Sequence, residues 1–229
     1  MKIFALNDLE SMDDLVFKKL LTNISNEKQA RIKKFARPND AKRTLLADIL
    51  VRSVVASELK VNNKTIEFDA NKYGKPFLKG NFGLHFNISH SENWVVCVVD
   101  DKPVGIDIEK IKPVELEIAA RFFSDDEYKM LMAKSPKDRQ DFFFDLWTLK
   151  ESYIKAVGEG LSLQLKSFTV SFLEKGEIAA KSGNKLTNWT LKQYYLDPKY
   201  KMAVCATHKA FPDNVVIKKL EDICSELNE

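Results

Sequence analysis

The sequence lacks the features that mark secreted, membrane-spanning or glycine-loop nucleotide-binding proteins. Its three cysteines, Cys97, Cys205 and Cys224, are odd in number and widely spaced, which fits neither a disulfide framework nor a zinc site. No apolar run approaches the roughly 18 residues of a membrane span, and the first residues turn acidic too early for a signal or transit peptide. Walker and dinucleotide-binding glycine motifs are absent as well. We therefore expect a cytoplasmic protein with no membrane partner.

The basic and acidic side chains also nearly balance, so the chain has little net charge. Across 229 residues, 36 basic and 33 acidic side chains give a net charge of +3, which is too small to indicate a nucleic-acid partner. The hydrophobic fraction of 45%, with 15 Phe and 3 Trp, is ample for a packed core and excludes a disordered chain.

Hydrophobic periodicity predicts two halves with the same order of elements, helices first and strands after them. We therefore predict an α/β (α+β) fold, a pseudo-dimer of two similar subdomains at residues 1–103 and 104–229. The first helix should be capped by Ser11. The other helices are expected at 27–36, 39–59, 116–123, 125–133 and 137–157, and the strands at 66–68, 84–89, 94–99, 104–108, 167–172, 189–195 and 201–207.

The sharpest local feature is the segment Gly105-Ile106-Asp107-Ile108-Glu109. Because strand side chains alternate between faces, Asp107 and Glu109 share one face while the isoleucines point into the core. Two carboxylates one pleat apart repel each other unless a cation neutralises them, and hard oxygen ligands of this kind suit Mg²⁺. The alternative is an exposed strand with ordinary solvated acids.

A second feature lies in the last predicted long helix, over Trp147-Thr148-Leu149-Lys150-Glu151-Ser152-Tyr153-Ile154-Lys155. Helical geometry places Lys150 inside the apolar arc and Glu151 at its border, with Lys155 one turn beyond Glu151. A carboxylate and two ammonium groups on a rigid helix can bind a metal and neutralise a diphosphate. A solvated Glu151–Lys155 ion pair and an extended Lys150 stem explain the pattern equally.

Two further segments carry polar chemistry. Residues 28–43 contain seven basic residues and one acidic residue, which form either a solvated helix surface or a polyanion site. The segment Asn87-Ile88-Ser89-His90-Ser91 ends a predicted strand, where side chains and free N–H groups can face a phosphate. No acid is placed to complete a nucleophilic triad, so we discount a hydrolase of that kind.

Taken in order, these segments resemble the motifs of the 4′-phosphopantetheinyl transferases. The segments 105–109 and 147–155 resemble the two signature motifs, and 87–91 and Tyr73-Gly74-Lys75-Pro76 resemble the upstream motifs. Their spacing and the chain length resemble the surfactin-synthetase-activating (Sfp) type, a one-chain pseudo-dimer with its active site at the subdomain interface. The resemblance covers roughly residues 28–208.

The resemblance implies a reaction and its participants. Such enzymes move the 4′-phosphopantetheine arm of coenzyme A onto a serine of an apo acyl, peptidyl or aryl carrier protein, releasing adenosine 3′,5′-bisphosphate. The implied metal is Mg²⁺, with Mn²⁺ as an alternative. The N-terminal subdomain would bind the nucleotide of coenzyme A, and the C-terminal subdomain would hold the metal and recognise the carrier. A monomer without nucleic-acid partners is expected.

The resemblance also implies roles for individual residues. Asp107, Glu109 and Glu151 would hold the metal, Glu151 would accept the serine proton, and Lys155 would stabilise the departing phosphate. Glu127 is an alternative base, although it also fits a capping box with Ser124. The residues implied to bind coenzyme A are Lys28, Arg31, Arg43, Thr44, Lys75, Ser89, His90, Lys150 and Lys155. Carrier recognition is expected near Leu116–Tyr128, with Phe122, Phe123 and Met130.

Three other functions compete with this one. An inactive binder of coenzyme A or nucleotide would keep the fold, but it would not need three acids. A nucleic-acid-binding protein using residues 28–43 would lose affinity steeply with salt. A metal-dependent phosphohydrolase would differ only in the acceptor.

Overall fold

The computed structural model describes residues 1–80 and 82–227 and confirms the mixed α/β fold. The helices are α1 (Asp14–Leu21), α2 (Asn26–Ile32), α3 (Pro38–Leu59), α4 (Ala119–Phe122), α5 (Asp125–Ala133), α6 (Arg139–Val157) and α7 (Leu220–Glu226). The strands are β1 (Lys2–Leu6), β2 (Phe68–Ala70), β3 (Pro76–Leu78), β4 (His85–Ser91), β5 (Trp94–Asp100), β6 (Val104–Lys110), β7 (Thr169–Phe172), β8 (Ile178–Ser182), β9 (Lys185–Tyr194), β10 (Tyr200–Ala206) and β11 (Val216–Ile217).

The first sheet has the strand order β11-β1-β5-β4, and α3 covers one of its faces. Leu45 and Leu50 of α3 pack with Cys97 of β5 in one buried cluster. Helix α7 contributes Ile223 to the same cluster, and β11 pairs in parallel with β1. The end of the predicted C-terminal subdomain therefore lies with the first sheet.

The second sheet has the order β6-β10-β9-β8-β7, and α6 packs across it. Gly105 makes this approach unusually close. A Cβ at that position would lie 2.1 Å from the Ser152 carbonyl oxygen and 2.4 Å from the Ala156 nitrogen. Any larger residue would push α6 away from β6, so this glycine sets how closely the helix approaches the strand.

A further hydrophobic core lies between the two sheets, on the face of each sheet that its helix does not cover. Val96 and Val98 of β5 contribute to it, together with Ile106 and Ile108 of β6. The order is therefore helix, sheet, sheet, helix, with the edge strands β4 and β6 side by side. Because Ile106 and Ile108 face this core, the residues that alternate with them face α6, as the sequence pattern predicts.

The predicted long elements are present, and the differences lie at ends and edges. The first helix is capped by Asp13, whose side chain accepts from the Val16 N–H, so the prediction of Ser11 as its cap is wrong. The sequence analysis also missed β1, β3, β8, β11 and α7. These elements are short or terminal, and β1 and β11 also pair with strands that are distant in sequence.

Candidate active site

Most of the predicted site residues line one cavity of about 410 Å³ beside the β4–β6 seam. Elements from both halves contribute to it. The lining residues are Thr44, Ala47, Ile88, Ser89, His90, Asp107, Glu109, Trp147, Glu151 and Lys155.

The strand β6 and the helix α6 position the charged side chains. Asp107 and Glu109 lie one pleat apart on β6, on the face opposite the inter-sheet core. Trp147, Glu151 and Lys155 are spaced by four residues on α6, so they form one stripe along the helix. The contact of α6 with Gly105 brings this stripe over the acids of β6.

Asp107 is buried at the centre of the cavity wall, and its two oxygens differ. Oδ1 accepts hydrogen bonds from Ser89 Oγ at 2.9 Å and from Lys155 Nζ at 2.6 Å. Among the described residues, Oδ2 is the one buried side-chain nitrogen or oxygen without a hydrogen-bond partner. A buried carboxylate oxygen left unpaired is costly, so this atom is matched to a partner of positive charge.

The other two acids, Glu109 and Glu151, also lie where a negative charge is unfavourable. Burial raises the pKa of Glu109, and the charge of Asp107 raises it further. Burial also raises the pKa of Glu151, with Asp107 adding to the rise and Lys155 opposing it. Glu109 is held by Ser91, whose Oγ donates to Oε2 at 3.0 Å. The cavity therefore concentrates more negative charge than its own cations compensate.

The donor set fits a hard divalent cation. Carboxylate oxygens are the ligands that Mg²⁺ prefers, and Asp107 Oδ2 has no hydrogen bond to give up on binding. The three acids are more widely spaced than a bound ion would hold them, because they do not form a group whose ligand atoms all lie within 4.8 Å of one another. Cation binding therefore requires at least one of the three side chains to shift.

Within the described residues, Asp100, Asp101 and His208 are the group that meets that distance limit. The charge of Asp100 is already compensated. Asp100 Oδ2 lies 2.9 Å from His208 Nε2 and 3.8 Å from the amino-terminal ammonium of Met1. This cluster joins the chain start to the segment after β10, and we do not assign a cation to it.

Four of the residues predicted to bind coenzyme A line the cavity, namely Thr44, Ser89, His90 and Lys155, and Arg43 lies close by. Arg43 donates from Nε to the Glu92 carbonyl at 2.7 Å and from Nη1 to Asp40 at 3.0 Å. Desolvation lowers the pKa of His90, and the charges of Arg43 and Lys155 lower it further. These surroundings favour the neutral imidazole, and a bound phosphate would oppose them by favouring its protonation.

The remaining predicted cations lie further out. Lys28 pairs with Asp48 of α3, and Arg31 is exposed on α2. Lys75 lines an adjoining cavity of about 290 Å³ that also contacts Glu151 and Lys155. Its Nζ donates to the carbonyls of Val104 and Ala156, and burial lowers its pKa to about 8.

Glu127 and Lys150 lie outside the cavity, contrary to the sequence-based expectation. Both side chains are 0% exposed and form an ion pair with a distance of 2.7 Å. Lys150 also donates to the Phe168 carbonyl, and Glu127 accepts from the Val170 and Ser124 backbone N–H groups. Neither can meet a serine or coenzyme A here, so we withdraw Glu127 as a base and Lys150 as a ligand-binding residue.

Sequence reasoning missed two residues and misplaced a third. Trp147 received no role beyond its place in the segment 147–155, yet it lines the cavity beside Glu151. Ser91 contacts Glu109, and the polar alternation Asn87, Ser89, Ser91 was the available signal. Phe123, expected on the carrier-binding surface, is fully buried in the core around α5 and α6.

Comparisons of this chain with family models and with named proteins find the same family. A family model described as "4′-phosphopantetheinyl transferase superfamily" matches residues 103–205, and one described as "4′-phosphopantetheinyl transferase, N-terminal" matches residues 12–102. The 4′-phosphopantetheinyl transferase Sfp of Bacillus subtilis is 42% identical over 97% of this chain and 100% of that protein. The 4′-phosphopantetheinyl transferase psf-1 of Bacillus pumilus is 40% identical over 100% of this chain and 99% of that protein.

A solved structure of lower similarity is the holo-[acyl-carrier-protein] synthase of Neisseria meningitidis. It is 15% identical and covers 45% of this chain and 94% of its own chain. Its TM-score of 0.39 is too low for a residue-by-residue comparison. Over the described residues, no helix is both long and apolar enough to cross a membrane.

Proposed function

The chain belongs to the 4′-phosphopantetheinyl transferase superfamily, and we propose that the cavity around Asp107 is its active site. The enzyme transfers the 4′-phosphopantetheine group of coenzyme A to a serine of an apo carrier protein and releases adenosine 3′,5′-bisphosphate. The nucleophile belongs to the partner, and this explains why the cavity needs no activated serine or cysteine of its own.

We propose that Asp107, Glu109 and Glu151 hold Mg²⁺, with Mn²⁺ as an alternative. When bound, the cation would neutralise the pyrophosphate of coenzyme A and make its phosphorus more electrophilic. The observation that carries this proposal is Asp107 Oδ2, a buried carboxylate oxygen without a partner. The raised pKa values of Glu109 and Glu151 support it, because both acids would be stabilised by added positive charge.

In the transfer step, the serine Oγ forms a bond to the phosphorus of the pantetheine phosphate. The bond from that phosphorus to the bridging oxygen of the pyrophosphate breaks. We propose that Glu151 accepts the serine proton, because its carboxylate lines the cavity beside Trp147, Asp107 and Lys155. Lys155, which reaches into the cavity, would compensate the charge that grows on the departing nucleotide.

The nucleotide end of coenzyme A is proposed to lie toward Thr44, Ser89 and His90. A phosphate there would face the neighbouring Arg43, whose charge already acts on His90. Lys28 and Arg31 lie further out on α2 and would supply long-range attraction. Lys75 would border the adenosine from the adjoining cavity, although its ammonium group is hydrogen-bonded to protein carbonyls.

The carrier protein is proposed to dock beside Trp147, because its serine has to reach Glu151. The exposed Ile118 and the half-buried Phe122 extend this surface, and the Phe122 ring meets Trp147 edge-on at 5.5 Å. Met130 lies further along α5. The class of carrier, the monomeric state, the cytoplasmic location, the absence of nucleic-acid partners and a subdomain boundary at residue 103 stay predictions.

Mass spectrometry of an apo carrier protein tests this proposal. The carrier is incubated with coenzyme A, the enzyme and Mg²⁺, then with EDTA in place of Mg²⁺. We expect a gain of one phosphopantetheine group only with the metal. Free phosphopantetheine without labelled carrier would indicate hydrolysis instead, and full labelling in EDTA would contradict the metal site.

A further inference from the structure

The edge strands β4 and β6 lie side by side but are bridged by side chains. In the second sheet, β6 uses one set of alternating backbone groups to pair with β10. The N–H groups of Ile106, Ile108 and Lys110 point the other way, toward β4. They are bound by side-chain oxygens of β4, at 2.8 Å for Asn87 Oδ1, 3.4 Å for Ser89 Oγ and 3.0 Å for Ser91 Oγ.

These contacts form a ladder with a constant offset. Each β4 side chain accepts from the backbone N–H nineteen residues later. Each of the two serines also donates its hydroxyl hydrogen to the acid eighteen residues later, Ser89 to Asp107 and Ser91 to Glu109. The residue eighteen positions after Asn87 is Gly105, which has no side chain. Two of the three rungs therefore end on a carboxylate of the cavity.

The geometry of a hydroxyl makes this arrangement directional. A serine hydroxyl has one hydrogen and two acceptor lone pairs. Because the Lys110 N–H occupies a lone pair of Ser91 Oγ, the single hydrogen is available to point at Glu109 Oε2. The backbone of β6 thus orients Ser91, and Ser91 in turn orients the carboxylate of a neighbouring residue.

We propose that Ser91 is a positioning residue that holds Glu109 in the orientation needed to bind a divalent cation. This inference rests on the proposed metal site of Asp107, Glu109 and Glu151. Outer partners of metal ligands fix ligand orientation, and their loss typically lowers metal affinity by about 10-fold or more. Ser89 acts in the same way on Asp107, but it also contacts Lys155 and lines the cavity, so Ser91 is the cleaner test.

Binding of Mn²⁺ by electron paramagnetic resonance measures this without turnover, because protein-bound Mn²⁺ loses the signal of the free ion. The full chain is compared as wild type, Ser91→Ala, Ser91→Thr and Asn87→Ala, with a melting curve for each. Ser91→Thr keeps a hydroxyl group that can donate to Glu109 and accept from the Lys110 N–H. Asn87→Ala removes a rung of the ladder that ends on no acid.

We expect Ser91→Ala to weaken Mn²⁺ binding by about 10-fold, Ser91→Thr to bind within about threefold of wild type, and Asn87→Ala to lose thermal stability without a comparable loss of affinity. Wild-type Mn²⁺ affinity in Ser91→Ala, or an equal loss of Mn²⁺ affinity in Asn87→Ala, would show that the ladder only joins the two strands. Either result would overturn the proposal. If Ser91→Ala does not fold, Ser91→Cys, with its weaker donor, replaces it under the same expectations.

Two additional variants separate this inference from the metal site itself. Asp107→Asn should abolish Mn²⁺ binding; if it binds like wild type, the metal site is wrong whatever Ser91 does. In a Glu109→Gln background, Ser91→Ala should cause no further loss of affinity, because the carboxylate it positions is gone. A second loss of about 10-fold in that background would show that Ser91 acts by another route.

Discussion

Two lysines of α6 each pair with a carboxylate from another element, and the two pairs differ in how completely they are bonded. In the pair Lys150–Glu127, both carboxylate oxygens have two hydrogen-bond donors and both side chains are 0% exposed. In the pair Lys155–Asp107, one carboxylate oxygen has two donors and the other has none, and the lysine is 27% exposed.

The difference separates a structural pair from the pair that we propose to be functional. The first pair joins α5, α6 and the start of β7, and it has no remaining capacity for a ligand. The second pair keeps an unpaired oxygen at the wall of a cavity, together with a cation that can exchange partners. Buried polar groups are normally satisfied, so Asp107 Oδ2 is the exception on which the proposed cation site rests.

Breaking the structural pair should have the largest effect on stability. Glu127→Ala leaves the Lys150 charge buried and removes the partner of two backbone N–H groups. We expect the free energy of unfolding to fall by about 3–5 kcal/mol, measured by urea denaturation. The control Asp126→Ala, an exposed acid one residue earlier on α5, should change it by less than about 0.5 kcal/mol. Equal effects would show that the buried pair is not structural.

Breaking the functional pair should give the opposite profile. Asp107→Asn keeps the size of the side chain and removes charge from the cavity, so the unfolding free energy should stay within about 1 kcal/mol of wild type. Carrier labelling should fall by a factor on the order of 100 to 1,000, the equivalent of several kcal/mol of transition-state stabilisation. Glu174→Gln, an exposed acid far from the cavity, serves as the control. A stable variant with normal labelling would refute the site.

Separating α6 from β6 should damage both regions together. Gly105→Ala places a methyl group against the backbone of α6, and overpacking of this kind typically costs about 1–3 kcal/mol. Because the displaced helix carries Glu151 and Lys155, labelling should fall along with the unfolding free energy. A variant that loses stability but labels carrier at the normal rate would show that the close helix contact does not position the site.

The smallest expected effect is a pH-dependent response to metal. Glu109 and Glu151 have raised pKa values in the folded protein. Their protonated forms therefore stabilise the folded state fully below about pH 4.5, and this stabilisation is lost as the pH rises through the raised pKa values. Mg²⁺ at about tenfold its dissociation constant should add about 1.4 kcal/mol at pH 7.5. The gain should shrink at pH 5.5, because protons compete for the same oxygens. A larger gain at the lower pH, measured by thermal melting, would contradict this.

The sequence predicted the carboxylate cavity well because its geometry is local. Strand alternation placed Asp107 and Glu109 on one face, and the four-residue spacing placed Glu151 and Lys155 on one helix stripe. Glu127 and Lys150 were misassigned because burial depends on how α5 packs on α6, which neither segment reveals alone. The ladder between β4 and β6 was missed for the same reason, since it joins two strands that do not pair through their backbones.

Anomalous diffraction from crystals grown with Mn²⁺ and coenzyme A tests the central claim most directly. The account predicts an anomalous peak within coordination distance of Asp107 Oδ2, with carboxylate oxygens of Glu109 and Glu151 as further ligands. A peak at Asp100, Asp101 and His208 with none at Asp107 would contradict it. So would a structure with bound coenzyme A, no peak in the cavity and Lys155 still paired with Asp107.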